Sequence, residues 1–173
     1  MDYIFADLPL HVLLVHAVII LVPLVSLALV VIAAWPAARR RLWIPVLIAT
    51  IAVVPLGLIT MEAGKWLEVR VPAAPLIQAH TALGPTIEPW LWALLAVAVL
   101  VAAWAVVELV VARRAASAGR ASLGRGIRIT AGLLLTLGAL AIAAGSTWAV
   151  VQVAESGSRA VWEGSFSDEP LER

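Results

Sequence analysis

The chain has 173 residues, of which 63% are hydrophobic and 13% charged, with a net charge of +1. A soluble domain of this length covers itself with more polar groups than that, so a water-soluble globular protein is excluded as the expectation. Cysteine is absent, which excludes disulfides, thiolate metal sites and covalently attached c-type haem.

Four apolar runs follow in chain order, at about residues 8–34, 42–61, 89–112 and 129–153. Each reaches the roughly 20 residues that cross about 30 Å of hydrocarbon at 1.5 Å per residue. None alternates with period two, so barrel strands are disfavoured. The expected fold is all-α: a four-helix transmembrane bundle forming one domain over residues 1–163. The first run has no basic segment before it, follows Asp2 and Asp7, and is too long for the core of a signal peptide. It is read as a retained span.

Between spans one and two lie Arg39, Arg40 and Arg41; between three and four lie Arg113, Arg114, Arg120, Arg125 and Arg128. These connectors hold eight of the twelve basic residues and no acid. The positive-inside rule then places both connectors in the cytoplasm and both termini outside, in a cell (inner or plasma) membrane. Trp35 and Trp43 mark the inner interface, and Trp66, Trp90 and Trp92 the outer one.

Prolines set the helix limits. Pro36 ends span one, Pro45 and Pro89 sit in the first turns of spans two and three, and Pro23 and Pro55 kink span interiors. The outer connector 62–88 is expected to begin as a helical extension carrying Glu62, Lys65 and Glu68. It breaks at Pro72 and Pro75 and resumes as a short helix with Gln78, His80 and Thr81 before Gly84-Pro85. Residues 117–126 read as a flexible loop, and the acidic tail 164–173 as disordered. In span four, Ala141 and Gly145 form a small-xxx-small pair that predicts close helix contact within the bundle.

With this topology His11, His16, Thr60, Glu62, Lys65, His80, Gln152, Glu155 and Arg159 converge on the outer end, and all three histidines are there. His16 lies about 7.5 Å deeper than His11 and about 140° around the helix. A histidine inside a span normally faces the bundle interior. Trp148, Gln152, Glu155, Arg159 and Trp162 make one helical stripe, readable as an amphipathic end packed on the outer connector or as a polar wall opposite His16. At the other end Glu108 is expected to pair with Arg113, about one turn away.

Three uses of the histidines remain open. A b-type haem takes two imidazoles from different helices, here His16 and His80 with Met61 as the alternative axial ligand, and Gln152, Glu155 and Arg159 around it. A zinc or copper site draws on His11, His16, His80 and Glu62 or Glu155. In the third, the histidines lock helices by hydrogen bonds. The sequence holds no nucleophile–base arrangement, phosphate-binding glycine loop or paired intramembrane carboxylates, so hydrolase and pump readings find little support and an enzyme is not expected. The expected partners are the lipid bilayer and a redox or other membrane protein; no nucleic-acid partner is expected.

Leu8-Pro9-Leu10-His11-Val12-Leu13-Leu14-Val15-His16 resembles the opening of the bacterial membrane family catalogued as domain of unknown function 2231. Ala63-Gly64-Lys65-Trp66-Leu67-Glu68, His80-Thr81-Ala82-Leu83-Gly84 and Glu155-Ser156-Gly157-Ser158-Arg159-Ala160-Val161-Trp162 are similar to its actinobacterial members. Where the family often carries proline after its first histidine, this chain has Val12, with Pro9 before His11. The resemblance implies four spans and, because some members are fused to Rieske-type or c-type cytochrome domains, an association with electron transfer.

Overall fold

The computed structural model describes residues 2–118, 123–167 and 169–170. Four of its helices are long and apolar enough to cross a membrane. The chain is an all-α, multi-pass membrane protein: α1 (Leu10–Ala34), α2 (Pro36–Glu68), α3 (Pro75–Leu83), α4 (Glu88–Ala118) and α5 (Arg125–Trp162). The short α3 and a 3-10 turn, Gly84–Ile87, connect α2 to α4. Around the bundle the order is α1, α2, α4, α5, so each long helix packs mainly on two antiparallel neighbours.

The core follows from helical periodicity. On α1, Val18, Val22, Val25, Ser26, Leu29 and Ile32 are buried at steps of three, four and one, which trace a single stripe. They meet Val53 and Val54 of α2, Leu91, Leu94 and Val101 of α4, and Val150 and Val153 of α5. Midway through the bundle Ser26 and Ser146 lie 3.1 Å apart, both buried. Ser146 Oγ also donates to the Ala143 carbonyl, so Ser26 is the donor of the pair. Away from water a hydroxyl needs such a partner. The apolar residues facing outward, such as Ile20, Leu24, Leu27, Ile48, Leu134 and Leu137, are those a bilayer would cover.

Several helix limits differ from those read in the sequence. Only Trp35 separates α1 from α2, and Pro36 opens α2 as well as ending α1. Arg39, Arg40 and Arg41 therefore belong to the first turns of α2 rather than to a free connector. Pro45 lies inside α2, not in its first turn, and α2 runs on to Glu68, so its 33 residues outreach the hydrocarbon. The helical extension and the short helix before Gly84-Pro85 are present as expected. The chain also opens with a hairpin that the apolar pattern did not reveal. Ile4–Phe5 pairs antiparallel with Leu8–Pro9 through a turn in which Ala6 and Asp7 both have positive φ. The flexibility expected of 117–126 and the disorder expected of 164–173 fall partly on residues 119–122, 168 and 171–173, which lie outside the described residues.

The small-residue pair in α5 is half realised. Gly145 receives the ring of Trp90 from α4, so close that a Cβ there would overlap it, whereas Ala141 faces outward.

Glu108 does not pair with Arg113, which is exposed. Its carboxylate accepts two hydrogen bonds from the Arg39 guanidinium, from Nε at 3.0 Å and Nη2 at 3.2 Å. Arg39 Nη1 donates to the carbonyls of Ile32 (3.0 Å) and Ala33 (2.8 Å) at the end of α1. Arg39 is 1% exposed, and its one guanidinium joins α1, α2 and α4.

Removing one partner of a buried ion pair leaves the other uncompensated, so Glu108→Ala is expected to cost about 3–5 kcal/mol. Chemical or thermal unfolding in detergent measures this, and Arg39→Leu combined with Glu108→Leu is expected to recover part of the loss. Gly145→Ala forces Trp90 aside and is expected to destabilise the bundle by about 1–3 kcal/mol in the same assay.

Candidate functional site: a histidine pair at the bundle end

At the end of the bundle opposite Arg39, four helices converge on two imidazoles. His11 stands in the first turn of α1 and His80 in the last turn of α3. Their ring centroids are 6.1 Å apart and the ring planes are inclined at 64°.

Each ring is seated on a glycine of a neighbouring helix. A Cβ at Gly64 of α2 would lie 3.0 Å from Cε1 and Nδ1 of His11, and one at Gly157 of α5 would lie 2.9 Å from Cε1 of His80. Neither space admits a side chain without moving the ring, so glycine at these positions defines where the imidazoles stand.

Hydrogen bonds fix the tautomers. His11 Nδ1 is 2.9 Å from the Thr60 carbonyl oxygen, which can only accept, so Nδ1 carries the proton. Thr60 turns its own hydroxyl back to the Leu56 carbonyl. His80 Nδ1 is 2.9 Å from Ser156 Oγ, and that hydroxyl gives its proton to the Val153 carbonyl. Ser156 therefore accepts, and His80 Nδ1 is again the donor. In both neutral rings the lone pair is left on Nε2, which has no hydrogen-bond partner among the described residues. An imidazole held through Nδ1–H with Nε2 free is arranged as a ligand, since the bond on the far nitrogen sets tautomer and ring direction.

Burial pushes the pKa of His80 below the usual histidine range, and the neighbouring His11 adds to this, against a smaller opposing pull from the Val153 carbonyl. The neutral form, the one that can ligate, is favoured.

The structure brings together a different pair from the one read in the sequence. His16 is exposed on the outward face of α1, and its Nδ1 bonds the Val12 carbonyl one turn back at 2.7 Å. That local bond satisfies the ring nitrogen without an interior partner, and His16 does not face His80. Gln152, Glu155 and Arg159 are also exposed, with Arg159 bonded to Glu155 at 2.8 Å. Their stripe, with Trp148 and Trp162 at 65% and 60% exposure, neither packs on the outer connector nor walls the histidine pair. The face of α5 that does so carries Val153, Ser156 and Gly157. Glu62 is exposed and paired with Lys65 at 2.6 Å. Among the described residues no group of three or more His, Asp or Glu is placed to hold a metal ion, so the set His11, His16, His80 and Glu62 is not assembled. The sequence places Thr60 in the outer polar cluster but gives Gly64, Ser156 and Gly157 no role in the site. The available signal was that glycine lies next to a polar or small residue in two helices ending near a histidine.

The second polar feature is a groove of about 460 Å³ at the arginine end, lined by Arg39, Glu108, Arg125 and Arg128 with apolar residues of α1 and α5.

Comparison with known protein families, curated proteins and solved structures returned no match to the chain.

For His80 the sign of the pH effect follows from its lowered pKa. Between the folded value and the ordinary value near 6.5 the unfolded chain binds the extra proton, so stability falls as pH falls. The contribution is complete above about 6.5, declines as pH drops through that value, and levels off below the folded pKa. Unfolding temperatures in detergent from pH 8 to pH 5 are expected to fall less steeply for His80→Gln than for the natural chain.

Proposed function

We propose that this protein is a redox accessory of a cell membrane, with the arginine end in the cytoplasm and the histidine end outside, that holds a b-type haem through His11 and His80. The observation that carries the reading is the histidine pair itself: two imidazoles from different helices, each anchored through Nδ1–H, with both Nε2 atoms free. The ring centres, 6.1 Å apart, are close enough for both imidazoles to hold one group. Two ligands, with no group of three or more His, Asp or Glu among the described residues placed to hold a metal ion, suit an iron whose other positions a porphyrin fills better than they suit tetrahedral zinc. When bound, the haem would accept and release single electrons. Burial favours the neutral form of His80, and the chain's own residues hold both imidazoles oriented at the outer face, where a redox partner protein would exchange electrons with the site.

The segments that resemble the membrane family support a site here. His11, Gly64, His80, Ser156 and Gly157 all fall within them, as do His16, Glu155 and Arg159. The orientation rests on the eight arginines of the two connectors.

A second reading has its own observation. The His11–Thr60 bond ties α1 to α2 and the His80–Ser156 bond ties α3 to α5, so the histidines also act as locks between helices. Each such bond contributes about 1 kcal/mol.

An optical spectrum of the purified full chain, expressed with ample haem and recorded oxidised and then reduced, separates the readings. A Soret band with sharpened α and β bands on reduction is expected. His11→Ala and His80→Ala are each expected to abolish it, and His16→Ala to leave it unchanged. No Soret band from well-supplied protein overturns the haem reading. Lowered unfolding temperatures in the two variants would then identify locks, and stoichiometric copper or zinc in the natural chain an ion site.

A further inference from the structure

The groove at the arginine end has a cause in the packing of α5. This helix has no buried residue between Arg125 and Gly138; its first is Ala139. A Cβ added at Gly126, Gly132 or Gly138 would meet nothing within 4 Å. The arginine-end half of α5 is therefore packed more loosely than the rest, with Leu135 against the core, and the space between it and the junction of α1 with α2 is the groove. A gap of this size within a bilayer is filled by whatever the surroundings supply.

The lining specifies the occupant. Arg39 and Glu108 neutralise each other, while Arg125 and Arg128 add two further positive charges against no further acid among the lining residues. Arg125 and Arg128 are spaced at three and so share one face of α5. Arg128 keeps its side chain 48% exposed, with Nε 4.0 Å from Glu108. Immediately beyond these arginines the apolar run of α5 begins, and the groove continues along Ile129, Gly132 and Leu133. The two guanidinium groups thus stand at headgroup level, above an apolar channel that lies at hydrocarbon depth. An occupant that matches both parts is anionic at one end and apolar along the other. Basic pockets between membrane helices take phospholipid headgroups for this reason, and the volume is within the range of ligand sites.

We infer that the groove binds an anionic phospholipid, its phosphate between Arg125 and Arg128 and an acyl chain along Gly132 and Leu133, wedging α5 against α1 and α2. The site is independent of the histidine pair at the opposite end.

The test uses the full chain in a neutral detergent. Binding is followed by native mass spectrometry and by the unfolding temperature on adding phosphatidylglycerol, phosphatidylcholine or inorganic phosphate. Phosphatidylglycerol is expected to be retained and to raise the unfolding temperature, while phosphatidylcholine and inorganic phosphate do neither. Arg125→Gln with Arg128→Gln is expected to weaken phosphatidylglycerol binding at least tenfold. Gly132→Leu, whose Cβ meets open space and whose side chain enters the channel, is expected to weaken it as well. Both variants are expected to unfold in lipid-free detergent as the natural chain does, and Arg113→Gln with Arg114→Gln, an equal change of charge outside the groove, to bind normally. Equal retention of phosphatidylcholine, a shift reproduced by inorganic phosphate alone, or undiminished binding by the Arg125/Arg128 variant overturns the inference.

Discussion

The guanidinium of Arg39 is the interaction on which the arginine end depends. A polar group inside a bilayer has no water to turn to, so its partners must be built into the protein. Arg39 has several donors in a rigid fork, and two kinds of acceptor receive them: the terminal carbonyls of α1, which no helical N–H satisfies, and the carboxylate of Glu108. A chain that turns back after the single residue Trp35 leaves little room for other groups to reach those carbonyls. The arginine that follows within the first turn of α2 does so, and its charge is balanced from α4. Helix reversal, charge burial and the α2–α4 contact are one arrangement.

The same rule shapes the opposite end differently. His11 and His80 each give one proton to an acceptor on an adjoining helix, and the hydroxyls of Thr60 and Ser156 are turned into their own helix backbones. What is left over is a nitrogen lone pair on each ring. Each imidazole is fixed through Nδ1, and its Nε2 has no hydrogen-bond partner among the described residues. Gly64 and Gly157 contribute by absence, since any side chain at either position would move the ring it supports.

Much of this was legible in the sequence because it rests on length and hydropathy. Four runs of sufficient length defined four spanning helices, and the prolines and glycines of residues 72–85 marked the short helix between α2 and α4. The failures share one physical origin. Rotation of a helix about its axis depends on its neighbours, and the sequence shows only spacing. His16 was assigned to the interior because interior histidines are the commoner case, yet a bond to the Val12 carbonyl on its own helix lets it face outward. Glu108 was given Arg113 because that arginine is near in sequence, while the partner that reaches it is 69 residues away on the adjacent helix. The hairpin at residues 4–9 carries too few residues for any periodicity, and Ala6 and Asp7 are not the glycine or asparagine that usually announce such a turn.

The two ends also differ in how firmly α5 is held, and this bears on what each can do. Near the histidine pair α5 is packed through Ala149, Val150 and Val153 and is joined to α3 by Ser156. A ligand pair must stand within a fraction of an ångström of its working geometry, and residues fixed by dense packing meet that demand. Toward Arg125 the same helix has no buried residue over more than three turns. A rigid site and a yielding one thus lie on a single continuous helix. The buried residues from Ala139 to Val153 lie between the histidine pair and the arginine-end groove, so the two sites share a helix but no lining residue.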